Sequence, residues 1–434
     1  MEKSDILIIG AGATGLMAGY QLAKKGKKVT LLEARNRIGG RIHTIENESF
    51  FKRAELGAEF IHGDLPVTIN LLQEAGIAYS PAGGSMVRYN NGQFNEDEQF
   101  IEDWDVLMKK LDELQTDTNL AAFLKGHFAE DKYKKLRESV TRFVSGYDTT
   151  DPELASVFAL REEWKNEDEG AQHRIDTGYC DMARYLVDQI KAHKGRIYLN
   201  SVVSDIDWKP GNVKVITDSG MIYSAGKLLV AMPLGVLKAE KGEKGAVAFH
   251  PAIQDRTEAI KAMGFGAIIK FLLEFDEVFW ENEAIRLLAG KSLKGMGFLF
   301  SEEAIPTWWT QAPKHSALLT GWLGGLPAAD RKDMDTEALL QLALQSLSHI
   351  FSITVDELKT KLIAWNVANW TAEPFTRGSY SYDTVQAPEA RNLLNEPVED
   401  TLFFAGEYLY DGPAMGTVEA ALTSGVDVAE RMLN

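Results

Sequence analysis

The stretch that decides the fold stands near the start of the chain and reads DILIIGAGATG, residues 5–15. An apolar strand runs into glycines with the spacing G-x-G-x-x-G, and a helical segment then leads to a second apolar strand, VTLLE, residues 29–33. This order is typical of a dinucleotide-binding βαβ unit. Glu33 ends the second strand at about the spacing, roughly 20 residues, expected of the acid that binds a ribose. Its carboxylate would repel a 2′-phosphate, so the sequence disfavours NADP.

Each residue of this unit has a physical reason for its place. Gly10 permits a tight turn, Gly12 lets the backbone approach a pyrophosphate, and Gly15 lets the helix pack closely on the strand. We expect the helix to begin near Ala13 and Thr14, so that its free N–H groups and positive dipole end face the phosphates. The alternative is a tight turn in an ordinary α/β unit that binds no nucleotide.

The composition is that of an ordinary globular protein with an excess of acidic residues. A chain of 434 residues is too long for one core and suggests about two domains. The net charge of −17, from 46 basic and 63 acidic residues, argues against nucleic acid or an anionic membrane as partners. This charge is compatible with a cationic substrate, although most of it is expected on a solvated surface.

Three absences narrow the class of protein further. No run of about 18 apolar residues predicts a membrane span, and the N-terminal segment enters a strand rather than a signal-peptide core, so we expect a cytoplasmic protein. The single cysteine, Cys180, excludes an internal disulfide and a cysteine-based metal centre. The eight histidines lack metal-ligand spacing such as H-E-x-x-H, and we predict no metal. The sequence is silent on the oligomeric state.

Hydrophobic periodicity predicts mixed helices and strands, and hence an α/β fold class. Apolar residues at helical spacing predict helices over 101–145 (from Trp104, Leu107, Leu111 and Leu114), after Gly178 and over 335–351. Apolar or alternating runs predict strands at 196–199, 203–208, 213–217, 222–223 and 228–231, with a hairpin turn at 218–220, and a strand-rich region over 266–300.

The C-terminal part of the chain carries a second nucleotide-binding signal. Residues 402–407, LFFAGE, form an apolar strand that ends in a glycine and an acid, and Gly416 to Met432 is helical in pattern. A strand that feeds a helix N-terminus beside an acid again suits a nucleotide. We therefore expect a discontinuous domain that the C-terminus completes.

These signals give a two-domain organisation. The dinucleotide-binding, Rossmann-like domain is predicted over residues 1–80, 196–253 and 392–434. The intervening stretches, 81–195 and 254–391, are predicted to build an α+β substrate-binding domain.

Several separated motifs together resemble the flavin-dependent amine oxidase family. This family includes polyamine oxidases, monoamine oxidases and the catalytic domain of histone lysine demethylases, and the motifs are most similar to those of the polyamine oxidases. The motifs are EARNRIGGR at 33–41, GAEFIHG at 57–63, VAMPLGVL at 230–237, the segment from Trp370 to Tyr380, and AGE at 405–407. The resemblance implies FAD as the cofactor and an amine-oxidase-like fold.

The resemblance also implies a set of cofactor-binding residues. Arg41 would place a forked cation on the pyrophosphate, Glu407 would contact the ribityl or phosphate region, and the Val418 N–H would reach the flavin pyrimidine. Val203 would pair its backbone with the adenine, unless it is an ordinary core valine. The full set is Gly10, Gly12, Ala13, Thr14, Gly15, Glu33, Ala34, Arg35, Gly40, Arg41, Gly57, Ala58, Glu59, Val203, Trp370, Gly406, Glu407, Thr417 and Val418.

Lys270 is the sharpest catalytic candidate. It interrupts the apolar stretch GAIIKFLL, residues 266–273, where a lysine needs a partner or a depressed pKa. The resemblance implies a water-mediated link from this lysine to flavin N5. The alternative is an edge-strand lysine whose ammonium reaches out to solvent.

Two aromatic residues normally flank the amine in this family. Tyr380 matches the first position, whereas Thr417 takes the second, which leaves half of an aromatic cage and resembles the demethylases. Tyr408 or Tyr410 remains an alternative for the second aromatic. Ser379 stands where monoamine oxidases carry a cysteine bonded to the flavin, so we expect noncovalent FAD.

Three further positions concern the substrate. Phe60 replaces the arginine that amino-acid oxidases of this superfamily use to clamp a carboxylate, which disfavours free amino acids. His62 matches a histidine of several polyamine oxidases and could read the charge of an amine, or it is a loop histidine without that role. Trp370 is expected near the flavin, or else in the core.

The leading hypothesis is therefore oxidation of an aliphatic amine, above all a polyamine, to an imine that hydrolyses to an aldehyde and an amine. Oxygen would reoxidise the flavin and form hydrogen peroxide. The alternatives are a desaturase or dehydrogenase acting on a substrate other than an amine, and a flavin-binding module with little turnover.

Overall fold

A computed structural model describes most of the chain, namely residues 3–47, 50–63, 65–95, 101, 103–166 and 172–434. Within these residues the strands are β1 Lys3–Ile9, β2 Val29–Leu32, β3 Thr44–Asn47, β4 Lys52–Glu55, β5 Ile61–His62, β6 Tyr79–Pro81, β7 Ser85–Asn90, β8 Gln93–Asn95, β9 Gln172–Ile175, β10 Arg196–Tyr198, β11 Val203–Lys209, β12 Asn212–Thr217, β13 Ile222–Val230, β14 Ala248–His250, β15 Gly264–Phe265, β16 Ile268–Phe275, β17 Met296–Phe300, β18 Thr307–Trp309, β19 Leu318–Gly324, β20 Leu362–Asn369, β21 Ser381–Tyr382 and β22 Leu402–Phe404.

The α-helices of the same residues are α1 Ala13–Lys24, α2 Pro66–Ala75, α3 Trp104–Asp112, α4 Leu120–His127, α5 Lys134–Gly146, α6 Val157–Asn166, α7 Tyr179–Ala192, α8 Leu234–Leu237, α9 Gln254–Ala262, α10 Glu283–Ala289, α11 Gly325–Ala329, α12 Thr336–Phe351, α13 Val355–Lys361, α14 Ala387–Asn395 and α15 Val418–Leu433. In the part of the chain described, no single helix is both long and apolar enough to cross a membrane; α12 and α13 reach that length only together, across a bend of 108°.

The first sheet has parallel strands at its centre and helices on both faces, which confirms the expected α/β class. Its order is β10-β2-β1-β13-β12-β11-β14, and β22 also pairs with β13. Ile6 and Ile8 of β1 face one core, while Leu7 and Ile9 face the other. Because both faces of β1 are buried, the strand is apolar at successive positions rather than alternating.

This sheet joins strands that stand far apart in the sequence. β1 and β2, then β10 to β14, and finally β22 come from the three stretches 1–80, 196–253 and 392–434. Helix α7 packs on the face that α1 and α15 cover, and α9 packs on the opposite face. Both α7 and α9 lie in stretches that the sequence assigns to the substrate-binding domain, and their apolar faces close the core of the first sheet.

The local predictions are largely confirmed, with differences at element boundaries. The hairpin at 218–220 joins β12 to β13. The strands predicted at 222–223 and 228–231 are one continuous strand, β13, whose first half pairs antiparallel with β12 and whose second half pairs parallel with β22. The helical pattern over 101–145 is divided among α3, α4 and α5, and Leu114 lies beyond the end of α3.

The structure contains a second large sheet. Its order is β20-β16-β19-β18-β17-β7-β8, and β16 lies between β19 and β20 over its whole length. The core on one side of this sheet includes the apolar face of α12. Helices α3 to α6 form a separate apolar cluster beside the sheets. Helix α10 interrupts the region at 266–300 that the sequence predicts to be rich in strands.

The close packing of α1 on the first glycine turn gives a stability prediction. A Cβ added at Gly15 would lie 2.0 Å from the Gly10 carbonyl oxygen, a backbone atom that cannot move aside cheaply. We expect Gly15→Ala to lower the free energy of unfolding by about 3 kcal/mol. Gly126→Ala is the matched control, because Gly126 also lies in a helix and a Cβ there meets nothing within 4 Å.

Denaturant unfolding of the two variants checks this expectation. Gly126→Ala is expected to change stability by no more than about 1 kcal/mol, in the stabilising direction. Equal stability of both variants would contradict the close contact between α1 and the turn.

Candidate active site

A cavity of about 1530 Å³ opens between the two sheets. It is larger than the roughly 300–1,000 Å³ of a usual small-molecule site, and it has space for a dinucleotide together with a substrate. The predicted cofactor residues that line it are Gly10, Gly12, Ala13, Thr14, Glu33, Arg35, Gly40, Arg41, Gly57, Ala58, Glu59, Trp370, Gly406, Glu407, Thr417 and Val418.

Three predicted cofactor residues do not line the cavity. Gly15 lies in the first turn of α1, where it packs closely on the Gly10 carbonyl as described above. Ala34 is half-buried outside the lining, and the Val203 side chain lies in the core of the first sheet. The pairing of the Val203 backbone with an adenine stays a prediction.

The N-terminus of α1 forms one end of a cradle with the second glycine loop. Gly12 bridges to Gly39, and a Cβ added at Gly40 would lie 3.2 Å from the Gly12 Cα. No acidic residue stands in the first turn of α1, so nothing on this helix competes for its positive end. Two backbones this close, beside the N–H groups of a helix N-terminus, suit the pyrophosphate of a dinucleotide.

Glu33 is held in a fixed orientation at the neighbouring edge of the cavity. Its Oε2 accepts a hydrogen bond from the Ala11 N–H at 2.8 Å, and its Oε1 accepts one from the Arg35 N–H at 3.0 Å. The side chain is buried. The Arg35 guanidinium hydrogen-bonds to Glu373 and Thr376 through one nitrogen, and its Nη1 lies 3.8 Å from Glu33 Oε1. The Glu33 carboxylate is therefore set to accept hydrogen bonds from a ribose.

An ion pair between Arg41 and Glu407 joins the second glycine loop to the AGE motif at 405–407 across the cavity. The Arg41 Nη1 donates to Glu407 Oε1 at 2.9 Å and to the Ser379 carbonyl at 2.6 Å. The hydroxyl of Ser381 donates to the other oxygen of Glu407 at 2.5 Å. Both Arg41 contacts use one nitrogen, so the second nitrogen of the guanidinium fork remains for an anionic ligand.

Helix α15 brings a second helix N-terminus to the cavity, beside that of α1. A Cβ at Gly425 would lie 2.7 Å from the Thr14 carbonyl oxygen, so the two helices pack closely. The hydroxyl of Thr417 caps α15 by accepting from the Ala420 N–H at 3.2 Å. Glu419 stands in the first turn of α15, but its carboxylate accepts from the N–H groups that start α2. The Glu419 carboxylate therefore does not occupy the N-terminus of α15, and a ligand can approach that end of the helix.

Lys270 is buried in the wall of the cavity. Its Nζ donates to Glu59 Oε2 at 2.8 Å and to the Gly57 carbonyl at 3.1 Å, and the side chain is 1% exposed. Its strand, β16, is an interior strand, so the alternative of an edge-strand lysine reaching solvent is wrong. The lysine has an ionic partner on the glycine-containing loop that follows β4.

A second buried carboxyl lies close to this pair. Glu55 ends β4 and accepts hydrogen bonds from the Tyr179 N–H at 2.8 Å and from the Thr44 hydroxyl at 2.9 Å. Burial raises the pKa of Glu55 to about 7, although those hydrogen bonds and the nearby charge of Lys270 act to lower it. Glu55 therefore titrates near neutral pH in the folded protein.

Tyr380 also lines the cavity and is fixed at both ends. Its hydroxyl donates to the Tyr147 carbonyl at 2.5 Å, and a Cβ at Gly416 would lie 3.0 Å from its ring. Burial raises the pKa of Tyr380, and the negative charges of Asp148 and Glu163 raise it further. Two acidic side chains, Asp148 and Glu163, thus lie near this part of the cavity.

The missing second aromatic of the cage is not supplied by either tyrosine considered from the sequence. Neither Tyr408 nor Tyr410 lines the cavity. Tyr408 is buried in the core, because its ring packs against Gly406. Thr417 does line the cavity, but its hydroxyl donates to the Ala414 carbonyl at 2.6 Å as part of the helix cap.

His62 and Trp370 complete the predicted set. The His62 imidazole opens to the cavity, and desolvation by the surrounding protein lowers its pKa to about 4, so it is neutral at physiological pH. Trp370 is buried beside the cavity and donates its indole N–H to the Leu56 carbonyl at 2.8 Å. That bond fixes the indole against the loop that carries Glu59.

An aromatic wall occupies the second-sheet side of the cavity. Phe60 lies 5.8 Å from both Phe298 and Trp309, and Trp309 lies 5.9 Å from Trp322, between ring centroids. The Lys270 Nζ is 5.2 Å from the Trp309 ring centroid. We call Phe60, Phe298, Trp309 and Trp322 the aromatic wall; it gives Lys270 an apolar neighbour on this side.

Sequence reasoning missed several residues of the site. Arg174, whose Nε donates to Glu59 Oε1 at 3.0 Å, stands in a short polar strand with no distinguishing pattern. Asp148 is buried at the cavity within a polar connection between helices. Glu373, the partner of Arg35, could have been found, because it is the one acid within the motif from Trp370 to Tyr380.

Comparison with known proteins gives a consistent result. Residues 13–433 match the family described as flavin containing amine oxidoreductase. Lysine-specific histone demethylase 2 of Homo sapiens is 28% identical over 458 residues, which cover 99% of this chain and 53% of the demethylase. Probable polyamine oxidase 4 of Arabidopsis thaliana is 26% identical over 461 residues, which cover 99% of this chain and 86% of the oxidase. The chain spans 30–57% of the length of the demethylases that it matches.

Solved structures share the fold. Putrescine oxidase bound to putrescine superposes with a TM-score of 0.79 at 19% identity, covering 100% of this chain and 99% of the other. Cyclohexylamine oxidase from Brevibacterium oxydans IH-35A gives a TM-score of 0.77 at 19% identity, covering 100% of both chains. At this identity the likeness shows the fold alone.

Glu55 gives a prediction about pH. Its pKa is raised from 4.5 in the unfolded chain to about 7 in the fold, so its contribution to stability is full below pH 4.5 and is lost as the pH rises through 7. We expect Glu55→Gln to gain stability relative to the wild type between pH 5 and pH 8, by a few kcal/mol. Thermal or denaturant unfolding of both proteins across this range measures the difference, and a difference that does not change with pH would contradict the burial of an ionisable Glu55.

Proposed function

Because the chain belongs to the flavin-containing amine oxidoreductase family, we propose that it oxidises an aliphatic amine, with polyamines as the leading substrate class. The observation that carries this proposal is Lys270, a buried lysine held by Glu59 in the wall of a cavity suited to a dinucleotide. The products are an imine, hydrolysed to an aldehyde and an amine, and hydrogen peroxide from oxygen.

The residues present fit FAD. Glu33 is oriented for the ribose, the N-terminus of α1 and Arg41 suit the pyrophosphate, and the N-terminus of α15 at Val418 suits the electron-rich edge of the ring. When bound, the flavin supplies the redox chemistry, taking up two electrons from the substrate and passing them to oxygen. The protein supplies binding, orientation and the exclusion of water.

The layout of charges supports a substrate with two amino groups. An aliphatic amine resembles a lysine side chain, with a pKa of about 10.4, and so arrives as an ammonium, whereas oxidation needs a neutral amine. The Lys270–Glu59 ion pair offers no net negative charge to hold an ammonium, whereas the buried carboxylate of Asp148 favours one beside it. A polyamine can be neutral at the first place and charged at the second.

The aromatic wall supports a second candidate substrate. Phe60, Phe298 and Trp309 offer an apolar surface, which suits a monoamine that carries a hydrophobic group. Such a substrate has no second ammonium for Asp148 to hold. The two candidates therefore differ in their dependence on that carboxylate.

Anaerobic reduction of the FAD-loaded protein tests the proposal. We expect spermidine, spermine or putrescine to bleach the flavin band near about 450 nm, and Asp148→Asn to weaken their binding about tenfold, or ~1.4 kcal/mol. Cyclohexylamine is the control, because the rate at which it reduces the flavin is expected to be unaffected by Asp148→Asn. Bleaching by cyclohexylamine alone would favour the second candidate, and no bleaching by any amine, with the flavin spectrum intact, would overturn amine oxidation.

Ser379 carries a prediction about how the flavin is held. Its hydroxyl is 2.6 Å from the Thr149 hydroxyl, and a serine lacks the nucleophilic thiol with which a cysteine would bond to the flavin. We propose that FAD is noncovalent and expect all flavin absorbance in the supernatant after acid precipitation. Flavin absorbance retained by the washed, unfolded protein would contradict this.

A further inference from the structure

We propose that Glu59 is a positioning residue that holds Lys270 as a charged ammonium, with two of its N–H donors on the loop 57–59 and the third left for the cavity. The inference rests on the cavity holding a flavin, as proposed above, and does not depend on the substrate being an amine. It assigns Glu59, which the sequence suggests only as a cofactor residue, to the control of the charge of Lys270.

The first argument concerns the N–H donors of Lys270 and the acceptors that they contact. An ammonium has three N–H donors. Two of them bond to Glu59 Oε2 at 2.8 Å and to the Gly57 carbonyl at 3.1 Å, and both acceptors belong to one short loop. Because Lys270 lines the cavity, the remaining donor serves whatever occupies that space.

Glu59 is itself fixed from its other side. Its Oε1 accepts from Arg174 Nε at 3.0 Å and from Gln311 Nε2 at 3.3 Å. Burial acts to raise the pKa of Glu59, but the charges of Lys270 and Arg174 outweigh burial and lower it. The carboxylate is therefore ionised, and it cannot turn away from Lys270 without leaving Arg174 and Gln311.

Among the charged groups around Lys270, Glu59 is the one that keeps this lysine protonated. The charged groups near it are Glu59 by direct contact, Arg174 through Glu59, and Glu55 at longer range from β4. Without Glu59, the lysine would share a dry site with the Arg174 cation. Both desolvation and that like charge favour loss of its proton.

A lysine held as an ammonium cannot accept a proton from a substrate. With a flavin in the cavity, it would act instead as a fixed positive charge and hydrogen-bond donor, which would favour the negative charge that reduction brings. The reduction potential of the flavin therefore reports the charge of Lys270 directly, in the absence of any amine.

The experiment measures the midpoint potential of the FAD-loaded protein against pH, with a chemical reductant and no amine. Relative to the wild type, the Glu59→Gln variant should show one additional inflection, because loss of the carboxylate favours loss of the Lys270 proton. The Glu59→Asp variant keeps the charge and should lack the inflection. Glu55→Gln is the matched control, since it removes a neighbouring buried carboxyl that makes no contact with Lys270, and it should also lack the inflection.

A double variant assigns the ionising group. In Glu59→Gln combined with Lys270→Met the inflection should disappear; if it persists, it belongs to another group and the proposal is wrong. An unchanged profile in Glu59→Gln would equally overturn it. Reduction by amines in the wild type is a separate measurement, so failure of the substrate assignment and failure of this inference give different results.

Lys270 variants keep the proposal testable if Glu59→Gln does not fold. Lys270→Met should make the midpoint potential at pH 7 more negative than in the wild type, because a positive charge is lost. Lys270→Arg should keep it close to the wild-type value, since arginine is always charged. An unchanged potential in Lys270→Met would mean that the lysine is neutral in the native protein and would overturn the inference.

Discussion

The ion pair between Lys270 and Glu59 constrains how the two halves of the molecule meet. A buried charge left without its partner costs about 3–5 kcal/mol, and Lys270 stands in the middle of an apolar interior strand. Its counter-ion comes from the loop that follows β4, far away in the sequence. The loop must therefore reach the second sheet, and the cavity wall forms where it does so. Arg174 of β9 then donates a hydrogen bond to the other oxygen of the same carboxylate.

The cradle for the nucleotide depends on a second long-range meeting. Helices α1 and α15 come from opposite ends of the chain, yet they pack closely enough that Gly425 has no space for a side chain. Their N-termini then face one cavity, and the bond from Arg41 to Glu407 joins the loops beside them. The glycine motif alone is thus half of the site. It becomes a complete binding surface only when the C-terminal segment has folded onto it.

Sequence reasoning succeeded where the determinants are local. The strand, glycine turn and helix up to Glu33 follow from residues within one βαβ unit, and Lys270 is conspicuous because a lysine in an apolar strand demands an explanation. The partners of these residues were not predictable in the same way. Arg174 lies in a strand without periodic signal, and Glu55 looks like any acid at the end of a strand until Tyr179 buries it.

Tyr408 and Tyr410 show again that spacing in the sequence does not determine where a side chain lies. Tyr408 and Tyr410 stand at plausible distances in sequence from Thr417, and spacing alone does not say which way they point. The ring of Tyr408 packs against Gly406 and is buried in the core. The cavity gains its aromatic surface instead from the second sheet, where strand pairing brings Phe298, Trp309 and Trp322 together. These residues share no motif, because their proximity comes from the register of β17, β18 and β19.

The aromatic wall and the buried charges reinforce each other. Trp309 belongs to the wall and also lies over the Lys270 ammonium, so the apolar surface is in contact with the charge. In a dry site each electrostatic interaction is stronger than in water, which sharpens the contrast between Lys270 on one side and Asp148 on the other. Under the proposed function, a substrate with an apolar chain between two amino groups would use both features at once. A hydrophobic monoamine would use the wall and the lysine but not the carboxylate, so the distribution of charge, more than the size of the cavity, would distinguish the two substrate classes.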